Sequence, residues 1–566
     1  MKSAALRRDE LAARHPQWQP RTISGQLDNA AATWGQRSVV LTGKADISYA
    51  EIVSWSRALA SGMIARGIAA GDRVALDLAN FPEFVALKFA IARAGAICVP
   101  CNFLLRGGEL RYVLEQSGAK MLVTMDVFRG HDYLADLQRP EGLEHVIVFA
   151  TGDGASAGYD GKSLSLGELA HSATHESDAE LVRREAAAQA TDLSDIIYTS
   201  GTTGRSKGVM LSHDMILRAA YSSALTRAFE DGRRILFAMP MYHVFGYVEC
   251  LIASTFVGGA IIPQAVFDPN EMLDLAERLQ ASEIVCVPVM TAKLIECARV
   301  RGFDGTHLQT MFNSGGFNPP SIWGEIDGAL RPRETVTAYG MTETTASTTC
   351  TLPEDGQHRL LTSNGRYKLA GVAGDPALSG LVAEYKAIDP VTGNDLPADE
   401  EGELVTRGPI VTRGYYNKPD ETEAAFTPDG WLHTGDLGRV GADGYLVLTG
   451  RIKETYRCNG EMVMPKEIED LFADHAEIAQ ALVVGVPDPR AGEAGCLCIV
   501  SKPGAAPDPA TLLATCAAKL AGFKVPRHVL FLSAADIPLT VTGRPQKFKL
   551  ARLAAERLAA DQGAKQ

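Results

Sequence analysis

The sequence contains no basic cluster and has less positive than negative charge. Lysine and arginine number 55 against 68 acidic residues, which gives a formal net charge of −13 at pH 7. Proteins that bind nucleic acids concentrate Lys and Arg on one face, because contacts to phosphates supply much of their affinity. The composition therefore predicts no nucleic-acid partner.

Long hydrophobic runs are missing as well. The longest nearly apolar run, from Cys250 to Pro263, has 14 residues and includes Ser254 and Thr255. A membrane-spanning helix needs about 20 apolar residues, so this run is predicted to lie in a buried core. Residues 1–20 are charged and lack the apolar segment of a secretory signal. We therefore expect no membrane span and a cytoplasmic location.

Cysteine pairs at zinc-binding spacing are also lacking. Ten cysteines are scattered along the chain, and the pair Cys98 and Cys101 has the spacing of a redox motif without a second pair to complete a metal site. Cys98 lies in the apolar run from Ala94 to Val99. Packing in the core as a reduced thiol is therefore favoured over a redox or metal role.

Alternating patterns of helix and strand occupy residues 20–150. A chain of 566 residues exceeds the usual size of one domain, and this alternation predicts a parallel sheet with helices on its faces. Residues 151–192 are predicted to be a surface excursion, and the short strand patterns and turns of residues 371–450 predict a small β-subdomain. The predicted helices are Tyr49–Arg66, Pro82–Ala94 and Gly107–Gly118, and the predicted strands are Asp72–Leu76, Gly95–Pro100 and Ala119–Thr124.

One stretch rich in Gly, Ser and Thr stands out: residues 198–209 are Tyr-Thr-Ser-Gly-Thr-Thr-Gly-Arg-Ser-Lys-Gly-Val. Apolar residues before it predict a strand, and Ser212 after it predicts a helix N-cap. A loop between a strand and a helix offers backbone N–H groups and hydroxyls to phosphate oxygens, and Lys207 adds a charge. The Walker pattern fails because Ser206 precedes Lys207. From composition alone, a plain connector remains the alternative.

The order of residues 198–209 resembles the phosphate-binding signature of the adenylate-forming (ANL) superfamily. Further motifs favour the acyl-CoA synthetase and ligase branch of this superfamily. The resemblance covers about residues 20–555. It implies an α/β fold in which residues 1–450 form two stacked α/β subdomains and a β-subdomain, and residues 451–566 form a small mobile C-terminal domain. The further motifs are Pro240–Gly246, Asn313–Gly316, Tyr339–Glu343, Trp431–Asp436 and Gly450–Glu454.

Members of this superfamily make an acyl-adenylate from a carboxylic acid and ATP with Mg²⁺, and then pass the acyl group to a thiol such as that of CoA. The resemblance therefore implies two sets of site residues. The nucleotide-binding set is Thr199, Ser200, Gly201, Thr202, Thr203, Gly204, Ser314, Gly315, Gly316, Tyr339, Gly340, Thr342, Asp436 and Arg451. The acyl-pocket set is Tyr242, His243, Phe245, Gly315, Gly340 and Met341.

Several residues receive individual roles from the same resemblance. Tyr339 stacks on adenine, Asp436 accepts hydrogen bonds from both ribose hydroxyls, and Glu343 holds Mg²⁺, a hard cation that prefers oxygen ligands. Lys453 is the pivot about which the C-terminal domain turns, and Gly460 admits the pantetheine arm of CoA. Four further roles follow: Gly340 leaves room for the acyl chain, Thr342 contacts the α-phosphate, Arg451 reaches the ribose or phosphate, and Lys207 and His243 are placed among the catalytic residues.

One position departs from the family pattern. The family ordinarily ends Pro-x-Thr-x-x-Gly-Lys with a catalytic lysine, and here Gly543 is followed by Arg544 and Pro545. Arginine replaces a compact ammonium with a planar fork, and Pro545 restricts the backbone of Arg544. A misplacement of about 1 Å can cost about 100-fold in rate, so Arg544 is predicted to be a catalytic residue that serves adenylation poorly.

Two hypotheses for this substitution remain open. In the first, Arg544 is tolerated or Lys547 replaces the lysine, and both half-reactions proceed. In the second, which we favour, adenylation is impaired while transfer from a ready-made acyl-adenylate to CoA survives, so that a separate enzyme supplies the acyl-AMP. Transfer to a carrier protein and a non-catalytic binding role are the further alternatives.

Overall fold

The structure is a computed structural model that describes residues 2–158, 161–199, 206–316, 318–459, 461–540 and 543–563. Its strands are β1 (Ser38–Leu41), β2 (Asp46–Ser48), β3 (Arg73–Asp77), β4 (Ile97–Pro100), β5 (Ala119–Met125), β6 (Val127–Phe128), β7 (His131–Asp132), β8 (His145–Phe149), β9 (Leu164–Ser165), β10 (Leu193–Thr199), β11 (Lys207–Ser212), β12 (Arg234–Phe237), β13 (Ala260–Pro263), β14 (Glu283–Cys286), β15 (Thr310–Asn313), β16 (Glu334–Val336), β17 (Ala338–Met341), β18 (Ala346–Cys350), β19 (Arg366–Tyr367), β20 (Glu384–Ile388), β21 (Gly402–Arg407), β22 (Leu432–Val440), β23 (Leu446–Arg451), β24 (Tyr456–Cys458), β25 (Glu461–Val463), β26 (Ile478–Asp488), β27 (Gly492–Ser501) and β28 (His528–Phe531).

Helices alternate with these strands through most of the chain. They are α1 (Ala4–Arg14), α2 (Ile23–Trp34), α3 (Tyr49–Ala65), α4 (Pro82–Arg93), α5 (Gly107–Ser117), α6 (Tyr133–Asp136), α7 (Leu166–His171), α8 (His175–Ala187), α9 (His213–Thr226), α10 (Val244–Gly246), α11 (Pro269–Arg278), α12 (Pro288–Arg301), α13 (Ile322–Ala329), α14 (Gln357–Thr362), α15 (Pro419–Glu423), α16 (Pro465–Glu469), α17 (Pro509–Lys519) and α18 (Lys547–Gly563).

Two seven-stranded sheets form the bulk of the N-terminal region. One has the strand order β11-β10-β4-β3-β5-β8-β9 and is parallel except where β10 meets β11. The other has the order β16-β15-β14-β12-β13-β1-β2 and is parallel except where β1 meets β2. The predicted parallel α/β architecture of residues 20–150 is therefore confirmed, although the strands of this segment are divided between the two large sheets and a separate antiparallel pair, β6 with β7.

Local signals in the sequence explain where the first helices begin and end. Ser48 and Glu51 form a capping box at the start of α3, which satisfies two N–H groups that have no partner within the helix. Pro82 occupies the first turn of α4, where its missing N–H costs nothing. Gly118 ends α5 with φ of 63°, a left-handed conformation that favours glycine.

The predicted surface excursion at residues 151–192 is wrong in part. Two helices, α7 and α8, lie within it, and both begin with a side-chain cap from the preceding Ser165 or Thr174. Leu181 of α8 is buried in the main core. This segment therefore contributes to the packing of the first large sheet instead of lying outside it.

The remaining sheets complete the predicted layout. Strands β17, β18 and β19 form a three-stranded sheet, and β20 to β23 form a four-stranded antiparallel sheet, the predicted β-subdomain. Five strands, β24 to β28, form the sheet of the C-terminal domain predicted at residues 451–566, which we call the tail domain. Helices α16 and α18 pack against this sheet. The α/β fold with a large N-terminal region and a smaller C-terminal domain is thereby confirmed.

A short turn links the β-subdomain to the tail domain. Strand β23 ends at Arg451, a 3₁₀ turn covers Ile452–Glu454, and β24 begins at Tyr456 in a different sheet. Among the described residues, no strand pairs across this turn. The turn Ile452–Glu454 therefore joins two parts of the chain that share no strand pairing among the described residues.

All ten cysteines fall within the described residues, and none of them is bonded to another. Nine are buried, including Cys98 and Cys101, and Cys297 is partly exposed. The run from Cys250 to Pro263 is buried as predicted. None of the described helices combines the length and the apolar character that crossing a bilayer requires.

Candidate active site

The two described ends of the Gly/Ser/Thr-rich stretch belong to neighbouring antiparallel strands. Strand β10 ends at Thr199, β11 begins at Lys207, and these two residues pair across the antiparallel ladder. The prediction of a loop between a strand and a helix is therefore wrong, because Val209 to Leu211 continue as a strand. Ser212 does cap α9 as predicted, since its hydroxyl accepts a hydrogen bond from the backbone N–H of Met215 at 3.3 Å.

Part of the predicted phosphate loop lies outside the described residues. The structure describes Thr199 and Lys207 at the two ends of this loop. Five predicted nucleotide-binding residues lie outside the described residues, and their roles stay predictions: Ser200, Gly201, Thr202, Thr203 and Gly204. The described ends, Thr199 and Lys207, lie at the carboxyl edge of the first large sheet, on the side where the parallel strands β4 and β3 end. Ligand sites of α/β proteins commonly lie at this edge.

The predicted acyl-pocket residues come partly together at the carboxyl edge of the second large sheet. A Cβ on Gly315 would lie 3.7 Å from Cε1 of Phe245 and 3.2 Å from Val287. The ring of Phe245 also meets that of Phe312 edge to face at 5.2 Å. Tyr242 packs instead against Phe103, with ring centroids 5.7 Å apart. The structure thus groups Phe245 with Gly315 and gives Tyr242 a different neighbour.

His243 caps the short helix α10 that follows strand β12. Its Nδ1 accepts a hydrogen bond from the backbone N–H of Phe245 at 3.2 Å, which fixes the ring relative to the pocket. Burial lowers the pKa of His243 to about 4, because a charged imidazole loses its hydration there. The ring is therefore neutral at physiological pH and is suited to line a pocket or accept a hydrogen bond.

Gly340 is required by its own hairpin. A Cβ at this position would lie 2.0 Å from the carbonyl oxygen of Ala346, where the ladder between β17 and β18 shifts register. The close approach of Ala346 therefore requires a glycine here, whereas the sequence analysis explained Gly340 by the room it leaves for the acyl chain. The place of Gly340 in the acyl pocket stays a prediction. Met341 and Thr342 continue directly into a 3₁₀ turn in which Thr342 is buried.

The loop Asn313–Gly316 is tied to the strand that carries Tyr339. The hydroxyl of Ser314 donates to the carbonyl oxygen of Ala338 at 2.5 Å. This bond joins the end of β15 to the start of β17, so that Gly315 and Gly316 are held near the predicted nucleotide-binding residue Tyr339. The structure thereby brings together two segments that the sequence places far apart.

Asp436 forms the centre of a buried charged group. The residue is 3% exposed, its Oδ1 lies 2.6 Å from Nε of Arg451, and its Oδ2 accepts a hydrogen bond from the hydroxyl of Tyr339 at 2.6 Å. A carboxylate offers about four lone-pair positions, so acceptor capacity remains for two ribose hydroxyls. Tyr339, Asp436 and Arg451, predicted from three separate motifs, therefore lie in one site.

Glu343 is a nearly buried carboxylate, 8% exposed, at the start of the 3₁₀ turn after β17. Its Oε1 accepts a hydrogen bond from the hydroxyl of Tyr415 at 3.1 Å. Burial raises the pKa of Glu343, although the charges of Arg451 and Lys207 oppose that change. Glu343 therefore lies close to Lys207, because the Tyr415 side chain that binds Glu343 also contacts Lys207.

The site has the ligands that Mg²⁺ uses together with a nucleotide. Magnesium is usually held by one or two carboxylates and by substrate phosphates instead of a cage made by the protein alone. Glu343 supplies such a carboxylate, and the part of the chain that the structure describes contains no cluster of three or more His, Cys, Asp or Glu side chains suited to a metal. A single buried carboxylate beside a phosphate loop therefore fits this cation.

Sequence reasoning missed Tyr415. Its ring lies beneath Lys207, with Nζ 4.6 Å from the ring centroid, and its hydroxyl binds Glu343, which is 72 positions away in the chain. No spacing pattern links residues so distant. The only available signal was the tyrosine pair Tyr415 and Tyr416 directly before a Pro-containing turn, which is common in loops.

Arg544 approaches the charged group from the tail domain. Its guanidinium lies 3.7 Å from Oε1 of Glu454 and is 41% exposed. Partial burial lowers the pKa of Arg544, and the nearby charge of Arg451 adds to this effect. A Cβ on Gly543 would lie 3.6 Å from Cγ2 of Val289, in the N-terminal region. The structure therefore presents the Arg544 side of the tail domain to the cleft.

Lys547 is engaged by two carboxylates. Its Nζ lies 3.3 Å from Glu454 and 2.8 Å from Glu469, and the side chain is 12% exposed. Lys453 is exposed on the linking turn, where the described residues make no ion pair with it. Gly460 lies outside the described residues, so its predicted contact with CoA stays a prediction.

Comparisons with known proteins agree with this geometry. The family "AMP-binding enzyme" matches residues 27–416, and "AMP-binding enzyme C-terminal domain" matches residues 467–544. YngI of Bacillus subtilis strain 168, which carries a provisional name as an acyl-CoA synthetase, is 33% identical over 94% of this chain and 96% of its own.

Two further relatives cover the chain almost completely. A Mycobacterium tuberculosis CoA ligase, named for a methyl-dioxo-octahydroindenyl propanoyl group, is 31% identical over 94% of this chain and 99% of its own. The crystal structure of ATP-bound MatB from Rhodopseudomonas palustris superposes with a TM-score of 0.82 at 28% identity, and covers 95% of this chain and 99% of that protein.

Proposed function

Because the chain belongs to the AMP-binding enzyme family, in the acyl-CoA ligase branch of the ANL superfamily, we propose that it joins an acyl-adenylate to CoA and adenylates the free acid only weakly. The enzyme class rests on the family. The weak first half-reaction rests on Arg544, which takes the position of the family lysine.

The contacts of the tail domain support this proposal. Arg544 feels the charges of Arg451 and Asp436, and its guanidinium lies 3.7 Å from Glu454. Lys547 is engaged by Glu454 and Glu469, so moving it into the cleft would break two ion pairs in a largely buried place. A guanidinium cannot reproduce the compact charge of an ammonium group. Adenylation therefore loses its best-placed cation.

The described residues fit the groups that the reaction brings together. Tyr339, Asp436 and Arg451 would hold the adenosine part of the nucleotide, and Lys207 the phosphate. Glu343 would hold Mg²⁺, which when bound screens the charge of the ATP phosphates. His243 and Phe245 would border the acyl group next to the reacting carboxylate.

Transfer to CoA uses the other side of the tail domain. A rotation about Lys453 would remove Arg544 from the cleft and bring the segment after β24 towards it. The thiol of CoA loses its proton to water, and its sulfur forms a C–S bond to the acyl carbon as the bond between that carbon and the phosphate oxygen of AMP breaks. Lys207 and Arg451 stabilise the charge that remains on AMP. None of these contributions depends on residue 544.

The class of acid is proposed only broadly. The relatives are named for different acyl groups: a bicyclic propanoyl group in Mycobacterium tuberculosis and a feruloyl group in a 30% identical Amycolatopsis synthase. Both are ring-bearing carboxylic acids. A panel of alicyclic, aromatic and fatty acids, each as the free acid and as its adenylate, with mass spectrometry of the thioester products, would identify the substrate.

The central test compares the two half-reactions with the cognate acid. We expect slow acid-dependent exchange of pyrophosphate into ATP, and clear thioester formation from synthetic acyl-AMP plus CoA. Arg544→Lys should raise the exchange rate by about tenfold or more, since misplacement of a catalytic charge commonly costs about 100-fold, and should leave the thioester rate unchanged. Rapid exchange by the wild-type enzyme would refute the impaired half-reaction and favour a complete two-step synthetase.

Two other outcomes would change the assignment. Faster transfer to a phosphopantetheinylated carrier protein than to CoA would make the chain a loading enzyme. Failure to form any thioester from acyl-AMP would favour a protein that only binds the adenylate.

A further inference from the structure

The segment that contains Tyr415 lies along the phosphate-loop hairpin. Tyr415 pairs with Val209 of β11 as an isolated antiparallel bridge, the backbone N–H of Met210 donates to Gly414 at 3.2 Å, and that of Tyr416 donates to Gly208 at 2.8 Å. The backbone of Tyr415 is thus fixed to the strand that begins with Lys207. Its position relative to the phosphate loop does not depend on the tail domain.

The side chain of Tyr415 joins two groups of opposite charge. Its ring centroid lies 4.6 Å from Nζ of Lys207, a distance at which an aromatic face attracts a cation. Its hydroxyl donates to Oε1 of Glu343 at 3.1 Å. One rigid side chain therefore contacts the cation at the end of the phosphate loop and the carboxylate assigned to Mg²⁺.

We propose that Tyr415 is a positioning residue that couples the phosphate loop to the magnesium carboxylate, with its ring holding Lys207 and its hydroxyl fixing Glu343. The proposal rests on the proposed function for the roles of Lys207 and Glu343, and it goes beyond that function by assigning Tyr415. Because the two contacts use different parts of one side chain, they can be removed separately.

Tyr415→Phe keeps the aromatic face and removes the hydroxyl. Glu343 then loses the donor that fixes its Oε1, while Lys207 keeps its ring. We expect the gain in nucleotide affinity that Mg²⁺ provides to fall by about tenfold, in line with loss of a hydrogen bond to a charged group. Affinity for the nucleotide without Mg²⁺ should stay within twofold of wild type, a bound that follows from the retained cation–aromatic contact.

Tyr415→Leu removes both contacts. In addition to the loss of the magnesium effect, we expect affinity for the nucleotide without Mg²⁺ to fall by about fivefold, because Lys207 is no longer held over an aromatic face. A residue that only supported folding would not give this difference between the two variants in nucleotide affinity with and without Mg²⁺. Such a role would weaken binding equally with and without the cation.

Calorimetric titration with the ATP analogue AMP-PNP, with Mg²⁺ and with EDTA, measures these effects without any catalytic turnover. Tyr416→Phe is the matched control: it makes the same chemical change at the next residue, whose ring packs in the apolar cluster with Val99 and Ile196. We expect this control to bind like wild type in both conditions. Thermal melting of each variant checks that it folds, and the Tyr415→Phe result decides alone if Tyr415→Leu does not fold.

Three results would overturn the proposal: a full magnesium effect in Tyr415→Phe, an equal loss in Tyr416→Phe, or equal losses with and without Mg²⁺. Thioester formation from acyl-AMP plus CoA needs neither ATP nor Mg²⁺, so it tests the proposed function separately. Absence of that activity in the wild-type enzyme would defeat the proposed function, while the titrations would still decide the role of Tyr415.

Discussion

Single residues in the cleft owe their properties to burial and to charged neighbours. Asp436 lies 2.6 Å from Arg451, burial raises the pKa of Glu343, and burial lowers the pKa of His243 to about 4. The sequence could identify these residue types through the order of motifs. It could not give their ionisation, because the groups that surround each side chain come from distant parts of the chain.

His243 should make the enzyme less stable in acid. Its pKa of about 4 in the folded protein lies below the value of about 6.5 expected in the unfolded chain. Between these two values the unfolded state binds more protons, so the free energy of unfolding falls as the pH drops from about 6.5 towards 4. The decrease in the thermal unfolding midpoint between pH 7.5 and pH 5 should therefore be smaller in His243→Asn than in wild type.

A second buried histidine sets the background for that measurement. The pKa of His213 is lowered to about 3 by burial and by the charge of Lys88, so it acts in the same direction and remains in the variant. His243→Asn should thus reduce the acid sensitivity without abolishing it. Identical pH dependence in the variant and wild type would contradict the lowered pKa of His243.

At the scale of elements, the sequence predicted the long periodic helices and the parallel strands correctly. It failed at the phosphate loop, because the apolar run Val209 to Leu211 is too short to distinguish a strand from the approach to a helix. It also missed α7 and α8, whose small and charged residues resemble a solvated loop. Tyr415 could not be found from the sequence because only the folded chain brings it to Lys207 and Glu343.

A buried charged network connects several of these elements. Glu249 lies in the π-helical segment Tyr247–Ile252 and is fully buried. Its carboxylate contacts Lys368 at 2.9 Å and Arg227 at 3.3 Å. Burial would raise the pKa of Glu249, but these two cations outweigh it and lower the pKa to about 2. The network links helix α9 to the strand segment that follows the nucleotide-binding motif.

Removal of the charge on Glu249 should destabilise the protein strongly. In Glu249→Gln, Lys368 and Arg227 lose their common counter-ion inside the core, a change that typically costs about 3–5 kcal/mol. Glu556→Gln, which breaks the exposed ion pair with Arg552, should cost less than about 1 kcal/mol. Denaturant unfolding of both variants measures the difference. A cost for Glu249→Gln no larger than that of Glu556→Gln would show that the network contributes little.

At the scale of the whole molecule, the tail domain faces the cleft with its Arg544 side, and the proposed transfer to CoA requires it to turn. The contact between Gly543 and Val289 offers a way to prevent that rotation. A Cβ on Gly543 would lie 3.9 Å from Cβ of Val289, close to the separation of about 3.8 Å found in disulfides. Two cysteines at these positions should therefore bond under oxidising conditions, although a side chain at Gly543, whose φ is 75°, carries backbone strain that the single variant Gly543→Cys shares.

The oxidised double variant, Gly543→Cys with Val289→Cys, should bind AMP but lose most of its thioester formation from acyl-AMP plus CoA. Reduction with dithiothreitol should restore the activity, because it releases the tail domain. Gly543→Cys alone, under the same oxidant, controls for the change next to Arg544. A cross-linked enzyme that transfers acyl groups at the full rate would show that no rotation is needed.

The turn at Ile452–Glu454 has a consequence for how such enzymes can be recombined. Within the described parts of the chain, every ladder closes on one side of that turn or the other, so a tail exchanged at this junction would leave each sheet with its own hydrogen bonds. A donor tail bearing lysine at the place of Arg544 could then be grafted onto this N-terminal region, and the hybrid would keep the native recognition of the acid while gaining the first half-reaction from the donor.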